Sequence, residues 1–204
     1  NLLFREKALR ISNKEIEEKP SVKMGRDLEP LIIEKAEQFT GRDIIKPTIM
    51  YLNTVTGQSV NFDGVTKTDD GVYIPVEIKT ATPKGARHYN FNRAINIEKE
   101  PISNLKIIPF VDKIPTRVAF GGETSLEELI IWNAERIGIP VYYYTQVQQQ
   151  IDFLNAPYGL LLVLNVEDWT FNLFYVDRSE LFIDRLRKNS TLQYSKLKVY
   201  RSKE

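Results

Sequence analysis

Three residues stand out for charge and spacing: Asp63 in Asn61-Phe62-Asp63-Gly64, and Glu77 and Lys79 in Val76-Glu77-Ile78-Lys79. Residues two apart on a strand share a face, so the side chains of Glu77 and Lys79 lie on the same side of a sheet. A preceding strand that carries Asp63 and pairs by a hairpin can bring its carboxylate beside Glu77. Two carboxylates and an ammonium on one face are costly to bury without a counter-ion. A divalent cation resolves the repulsion, and the lysine can then orient or polarise a water. Phosphodiester hydrolysis needs such a set: a metal-activated water, a metal on the scissile phosphate, and a cation near the developing charge. A plainer description fits the same residues, namely an exposed aspartate and an E-x-K pair on the polar face of a half-buried strand. On the motif alone both stand.

Two further residues extend the set. Glu29, in Gly25-Arg26-Asp27-Leu28-Glu29, falls in the first turn of the preceding helix and can point back at the sheet. Gln146, in Tyr143-Tyr144-Thr145-Gln146-Val147-Gln148, places an amide on a later helix. That amide can hold a water or a phosphate oxygen without altering the charge balance. Gln148, Gln149 and Gln150 read as a solvated helix face. Composition narrows the chemistry further. The chain has no cysteine, and His88 is its single histidine, which removes disulfides, thiolate zinc sites, iron–sulfur clusters, cysteine nucleophiles and multi-histidine metal sites, and disfavours a Ser-His-Asp triad. Any metal would be held mainly by carboxylate oxygens, which suits Mg²⁺ or Mn²⁺.

The elements that must position these groups can be read along the chain. Leu28, Leu31, Ile32, Ala36 and Phe39 fall near helical spacing and predict a helix from about Asp27 to Gln38, with Pro30 in its first turn and Gly41 ending it. Ile49–Val55, Ser59–Val65 and Val72–Lys79 read as three strands of an antiparallel meander, with turns at Thr56-Gly57 and at Thr68-Asp69-Asp70-Gly71. Residues 80–120 read as a long, mostly irregular excursion. Thr124–Ile137 is a helix with Thr124 and Glu127 as a capping box, and Tyr142–Leu154 a second with Tyr144, Val147, Ile151 and Leu154 on its apolar face. Gly159–Val166 and Trp169–Val176 predict a hairpin about Glu167-Asp168. A last helix, about Arg178 to Lys188, has Asp177 as its cap, and a basic tail follows. Trp132 and Trp169 read as core. With 204 residues, no repeat and no low-complexity linker, this is one α/β domain. The longest apolar stretch, Gly159–Val166, is far too short to span a bilayer, and no leader pattern argues for secretion.

The net charge of +1 conceals an uneven distribution. Residues 79–117 carry eight Lys/Arg against three acids and residues 185–204 seven against one, while residues 118–184 carry two against ten. Two basic segments flanking an acidic one fit either a face for a polyanion or ordinary solvated charge. Directly after the E-x-K strand, Lys84, Arg87, Tyr89 and Arg93 interleave cations with aromatics in Lys84-Gly85-Ala86-Arg87-His88-Tyr89-Asn90-Phe91-Asn92-Arg93. They fit a clamp on a DNA backbone that stacks an unpaired base, or a solvated loop with Tyr89 and Phe91 tucked into the core. His88 reads as a surface or loop histidine.

Taken in order, these segments resemble the PD-(D/E)XK nucleases, and within them the lambda-exonuclease/YqaJ-type viral recombinase nucleases. Met24-Gly25-Arg26-Asp27-Leu28-Glu29 is similar to that family's helix with a G-x-x-x-E motif, and Phe62-Asp63-Gly64 resembles its P-D-G strand, with phenylalanine for the proline. Glu77-Ile78-Lys79 matches its E-x-K strand, and Tyr144-Thr145-Gln146-Val147-Gln148 its glutamine helix, followed by β-β-α. The resemblance covers roughly residues 24–80 and 140–188. It implies a restriction-endonuclease-like core, a central mixed β-sheet flanked by helices, in a single nuclease domain over residues 1–204. Residues 1–23 would be an N-terminal segment, 81–140 an insertion between the E-x-K strand and the glutamine helix, and 189–204 the basic tail. It implies that Asp63, Glu77 and the Ile78 carbonyl ligate Mg²⁺, for which Mn²⁺ substitutes, and that Glu29 supports a second metal or its waters. Lys79 would position or activate the nucleophilic water and Gln146 help hold it, while Arg10 is the loose candidate for a 5′-phosphate contact. The implied activity is 5′ to 3′ digestion of linear double-stranded DNA in phage-type recombination or repair, in the cytoplasm of a bacterial or phage-infected cell. The implied partners are a single-strand annealing protein and further copies of the chain in a trimeric ring, with no membrane. An endonuclease of the same superfamily, restriction-like or structure-specific, and a DNA-binding module without catalysis are the alternatives.

Overall fold

The computed structural model describes residues 19–99 and 126–201. A long helix, α1 (Pro20–Thr40), opens this region. It starts with proline at its first position, where the missing amide costs nothing, and ends at Gly41, whose φ of 65° supplies the left-handed cap. It begins a full seven residues before the expected Asp27, so Pro30 lies inside it rather than in its first turn. The Arg26 carbonyl therefore receives no amide from residue 30. Burial of Ile32 and Ala36, both at 0% exposure, continues the helix past that defect.

The expected meander is divided between two sheets. β1 (Tyr51–Leu52) and β2 (Ser59–Val60) form a separate antiparallel pair of two residues each. β3 (Gly64–Lys67) pairs antiparallel with β4 (Tyr73–Ala81). The stretch expected to be irregular contains a one-turn helix, α2 (Pro83–Ala86), a 3₁₀ turn (Phe91–Arg93) and β5 (Ile95–Asn96). Two helices follow, α3 (Leu126–Ile137) and α4 (Val141–Leu154), then the hairpin β6 (Tyr158–Asn165) and β7 (Thr170–Asp177). The last helix, α5 (Glu180–Arg201), continues thirteen residues past the expected Lys188 and includes most of the stretch read as a tail. No glycine or proline interrupts it, and its cap is Ser179, whose Oγ accepts the Phe182 amide at 3.4 Å, rather than Asp177.

The main sheet has the order β3-β4-β6-β7-β5, with β4 and β6 parallel and every other pairing antiparallel. A parallel pair requires a crossover connection, here the segment that includes α3 and α4. Of the three inner strands, β4 and β6 are buried on both faces along most of their length, which explains their largely apolar sequences. α1 approaches β4 through Gly25, 3.3 Å from Thr80 Oγ1 when a Cβ is built on it, whereas α4 reaches Glu77 on the same strand. Residues 77 and 80 face opposite sides, so the two helices cover opposite faces of the sheet. The fold is the expected α/β arrangement, a central mixed sheet flanked by helices. Neither tryptophan is in the core. Trp169 is 55% exposed with φ of 57° in the β6–β7 turn, and Trp132 is half-buried beneath the Arg136 guanidinium, 5.5 Å from its ring centre. Among the described residues no helix is long and apolar enough to cross a membrane.

Candidate active site

The β3–β4 register places Gly64 opposite Val76, and one more step sets Asp63 opposite Glu77. Asp63 itself precedes β3, and its Oδ2 accepts the Ile78 amide at 3.0 Å, which pins the carboxylate to β4. Lys79, on the Glu77 face, folds its ammonium back over the strand. Its Nζ donates to Asp63 Oδ2 at 3.1 Å, to the Ile78 carbonyl at 2.8 Å and to Glu77 Oε1. Three oxygens from three residues thus converge on one cation. The Tyr143 ring, at 5.4 Å, lies against the same ammonium.

Glu77 is fully buried, and α4 supplies its neutral partners. Gln146 Nε2 donates to Oε1 at 2.5 Å, and Gln150 Nε2 donates to Oε2 at 2.6 Å and to the Asn61 carbonyl at 3.1 Å. The expectation that residues 148–150 form a solvated face is corrected here. Gln148 and Gln150 are both at 0% exposure. Gln148 joins α4 to the start of α5 by accepting the Ser179 amide at 3.0 Å and donating to the Asp177 carbonyl at 2.5 Å. Gln149 Nε2 donates to the Ser59 carbonyl at 2.9 Å. The spacing held one signal for Gln150: it follows Gln146 by four residues and so lies on the same helix face.

Burial pushes the Glu77 carboxyl up to about 7, with the Asp63 charge adding to the effect and Lys79 opposing it. Burial also works against the Lys79 ammonium, but the Glu77 and Asp63 carboxylates together outweigh it and hold its pKa above the ordinary lysine range. Burial, first, and then Tyr142 raise the Tyr143 phenol as well, so it stays neutral.

The other sequence candidates are placed differently. Glu29 forms an ion pair with Lys46, and among the described residues no group of three His, Asp or Glu stands close enough to hold a metal ion. Lys84 and Arg87 are exposed on and just after α2, within eight residues of Lys79 in the chain. The exposed Arg93 donates Nη1 to the Arg136 carbonyl in the last turn of α3, a helix-closing contact. The Tyr89 ring stacks on Phe91 at 5.4 Å and on Tyr143 at 6.1 Å, so it packs within the protein instead of standing free for a base. His88 is exposed. Arg10 and Thr124 lie outside the described residues.

The oxygens suit a hard divalent cation in kind: two carboxylates and a backbone carbonyl, with the lysine ammonium lying where they meet and standing in for positive charge. No family model and no curated protein matches the chain. Two solved structures share its fold: an alkaline exonuclease (LHK-Exo) from Laribacter hongkongensis, and the same protein in complex with dAMP. Each superposes with a TM-score of 0.59 at 12% identity, covering 98% of this chain and 78% of that one. At that identity the likeness is one of fold.

Proposed function

We propose that this protein is a Mg²⁺-dependent deoxyribonuclease that digests linear double-stranded DNA from its ends. The observation that carries the reading is the convergence of Asp63, Glu77 and the Ile78 carbonyl on a single cationic centre, backed by two glutamine amides from α4. The sharing of a fold with an exonuclease supports the exonucleolytic form. Asp63 Oδ2, Glu77 Oε1 and the Ile78 carbonyl would hold Mg²⁺, or Mn²⁺ in its place. Bound there, the ion supplies a polarised phosphate oxygen and a more acidic water. Lys79 is the mobile member: its charge sits on a flexible stem and can turn from the oxygens to the attacking water and the developing negative charge. Gln146 orients without adding charge, and Gln150 keeps Glu77 in place. Lys84 and Arg87, exposed just past β4, are suited to phosphate contacts.

The test follows one plasmid, linear or covalently closed, with Mg²⁺ and with EDTA. Loss of the linear form alone, and only with Mg²⁺, is the expected result. Cutting of the closed circle would make the protein an endonuclease, and no digestion of either form would leave a binding module. Following a label at the 5′ or the 3′ end of the linear form then tests the 5′ to 3′ direction that the resemblance implies, and comparing 5′-phosphorylated with 5′-hydroxyl ends tests the end preference.

A further inference from the structure

A cavity of about 300 Å³ lies where the β1–β2 turn meets α4 and the second half of α5, apart from the site. Its walls include Thr56, Gln58, Gln149, Ser190, Gln193 and Tyr194, and no charged side chain lines it. Gln58 is only 6% exposed; its Oε1 accepts from the Thr56 hydroxyl at 3.0 Å, yet its Nε2 is buried without a hydrogen-bond partner. A buried donor without a partner is unfavourable, and a ligand with an acceptor at that point would relieve it. The Tyr194 ring forms an aromatic wall and is fixed by close packing. A Cβ at Gly57, where φ is 70°, would meet the Tyr194 ring at 2.3 Å. Lys198 Nζ lies over the same ring, 4.4 Å from its centre, so it brings a cation near the cavity and must swing off that face for a base to stack there.

From these features we infer that the cavity binds an unpaired nucleobase. Amides offer a donor and an acceptor side by side, the pattern that base edges present, and a tyrosine ring offers a stacking surface. The uncharged lining favours a base over a phosphate, and Lys198 is placed for the attached backbone. The connection to the site is short: Gln149 holds the Ser59 carbonyl, whereas the adjacent Gln150 holds the Asn61 carbonyl and Glu77. The inference rests on the nuclease reading for its substrate, and the base belongs either to a single-stranded part of the DNA or to a released mononucleotide.

The experiment measures binding in EDTA, so no cleavage intervenes, of duplexes with a single-stranded overhang in which an abasic site is moved one position at a time. One position is expected to weaken binding to the wild-type protein about tenfold. Ser190→Trp, which fills the cavity from a half-buried helix position, should bind the intact overhang as weakly and respond to no abasic site. Gln193→Trp, at an exposed position, serves as a second variant should the first fold poorly. A parallel titration with deoxynucleoside monophosphates tests the free nucleotide as the source: it is so if they bind the wild type, fail to bind the tryptophan variants, and no abasic position matters. The inference is overturned if both tryptophan variants match the wild type within twofold in both titrations. Failure of the nuclease reading is seen separately, as a wild-type protein that digests no DNA with Mg²⁺.

Discussion

If Glu77 is a metal ligand, loading the site must expel a proton, and its number can be worked out from the burial of that carboxyl. Raised to about 7 from an ordinary 4.5, Glu77 is protonated in about nine molecules in ten at pH 6, half at pH 7 and one in ten at pH 8. A carboxylate ligand must be ionised to bind. Binding of Mg²⁺ should therefore release about 0.9 proton at pH 6, 0.5 at pH 7 and 0.1 at pH 8, and affinity should climb nearly tenfold per pH unit up to about pH 7 and then level. The sign for stability runs the other way. Because the folded-state pKa is raised, the metal-free protein is most favoured at and below pH 4.5 as far as this group is concerned. That contribution is lost as pH rises through about 7, by roughly 3 kcal/mol in all. Calorimetric titration of Mg²⁺ in two buffers of different ionisation enthalpy counts the protons directly. Release of less than 0.1 proton at pH 6, with the metal bound, would mean that Glu77 is already ionised and the electrostatic reasoning is wrong. Release near one proton at every pH from 6 to 8 would point to Lys79 instead, against its raised pKa.

Asp63→Ala and Lys79→Ala should each abolish cleavage while circular dichroism and melting stay close to wild type, because without Asp63 the Glu77–Lys79 pair remains, and without Lys79 the buried Glu77 can take up a proton; retained activity in either purified variant refutes the site. Gln150→Leu removes one hydrogen bond from the Glu77 carboxylate, an effect of about 1.5–3 kcal/mol for a charged acceptor. The Mg²⁺ concentration for half-maximal cleavage at pH 7 should rise ten- to a hundredfold, and an unchanged value would deny Gln150 its part. DNA affinity in EDTA should fall steeply with salt, and Lys84→Ala or Arg87→Ala should each lower the log–log slope by about 0.9. A slope equal to that of the wild type in both variants would remove that segment from the DNA contact.

Much of this arrangement was legible because it depends on short-range rules. The E-x-K spacing fixed the common face of Glu77 and Lys79, and the turn before β4 fixed the register that sets Asp63 across from them. The α4 stripe of Tyr144, Val147 and Ile151 is buried as its helical spacing requires. What escaped depends on partners distant in sequence. Pro30 argued locally for a later helix start, yet packing of Ile32 and Ala36 outweighs one missing hydrogen bond. β1, β2 and β5 are two residues long and offer no alternation to detect. A run of glutamines looks the same whether it faces water or a buried carboxylate, so Gln150 was hidden until β4 stood against α4. Tyr89 followed the plainer of its two readings, its ring spent on Phe91 and Tyr143.

The ammonium of Lys79, lodged among the oxygens of Asp63, Glu77 and Ile78, also bears on the order in which the working protein is assembled. Some small metal-binding proteins fold only once they are loaded, because binding of the ion supplies the folding free energy. Here Lys79 already pairs with both carboxylates, so neither is left as an uncompensated like charge, and the fold is expected to survive treatment with a chelator. If the site takes a divalent ion, as proposed, the ammonium must leave those oxygens as the ion enters. Occupancy should then follow the free divalent concentration instead of being locked at synthesis, and activity would be restored by adding metal back, with no refolding step between.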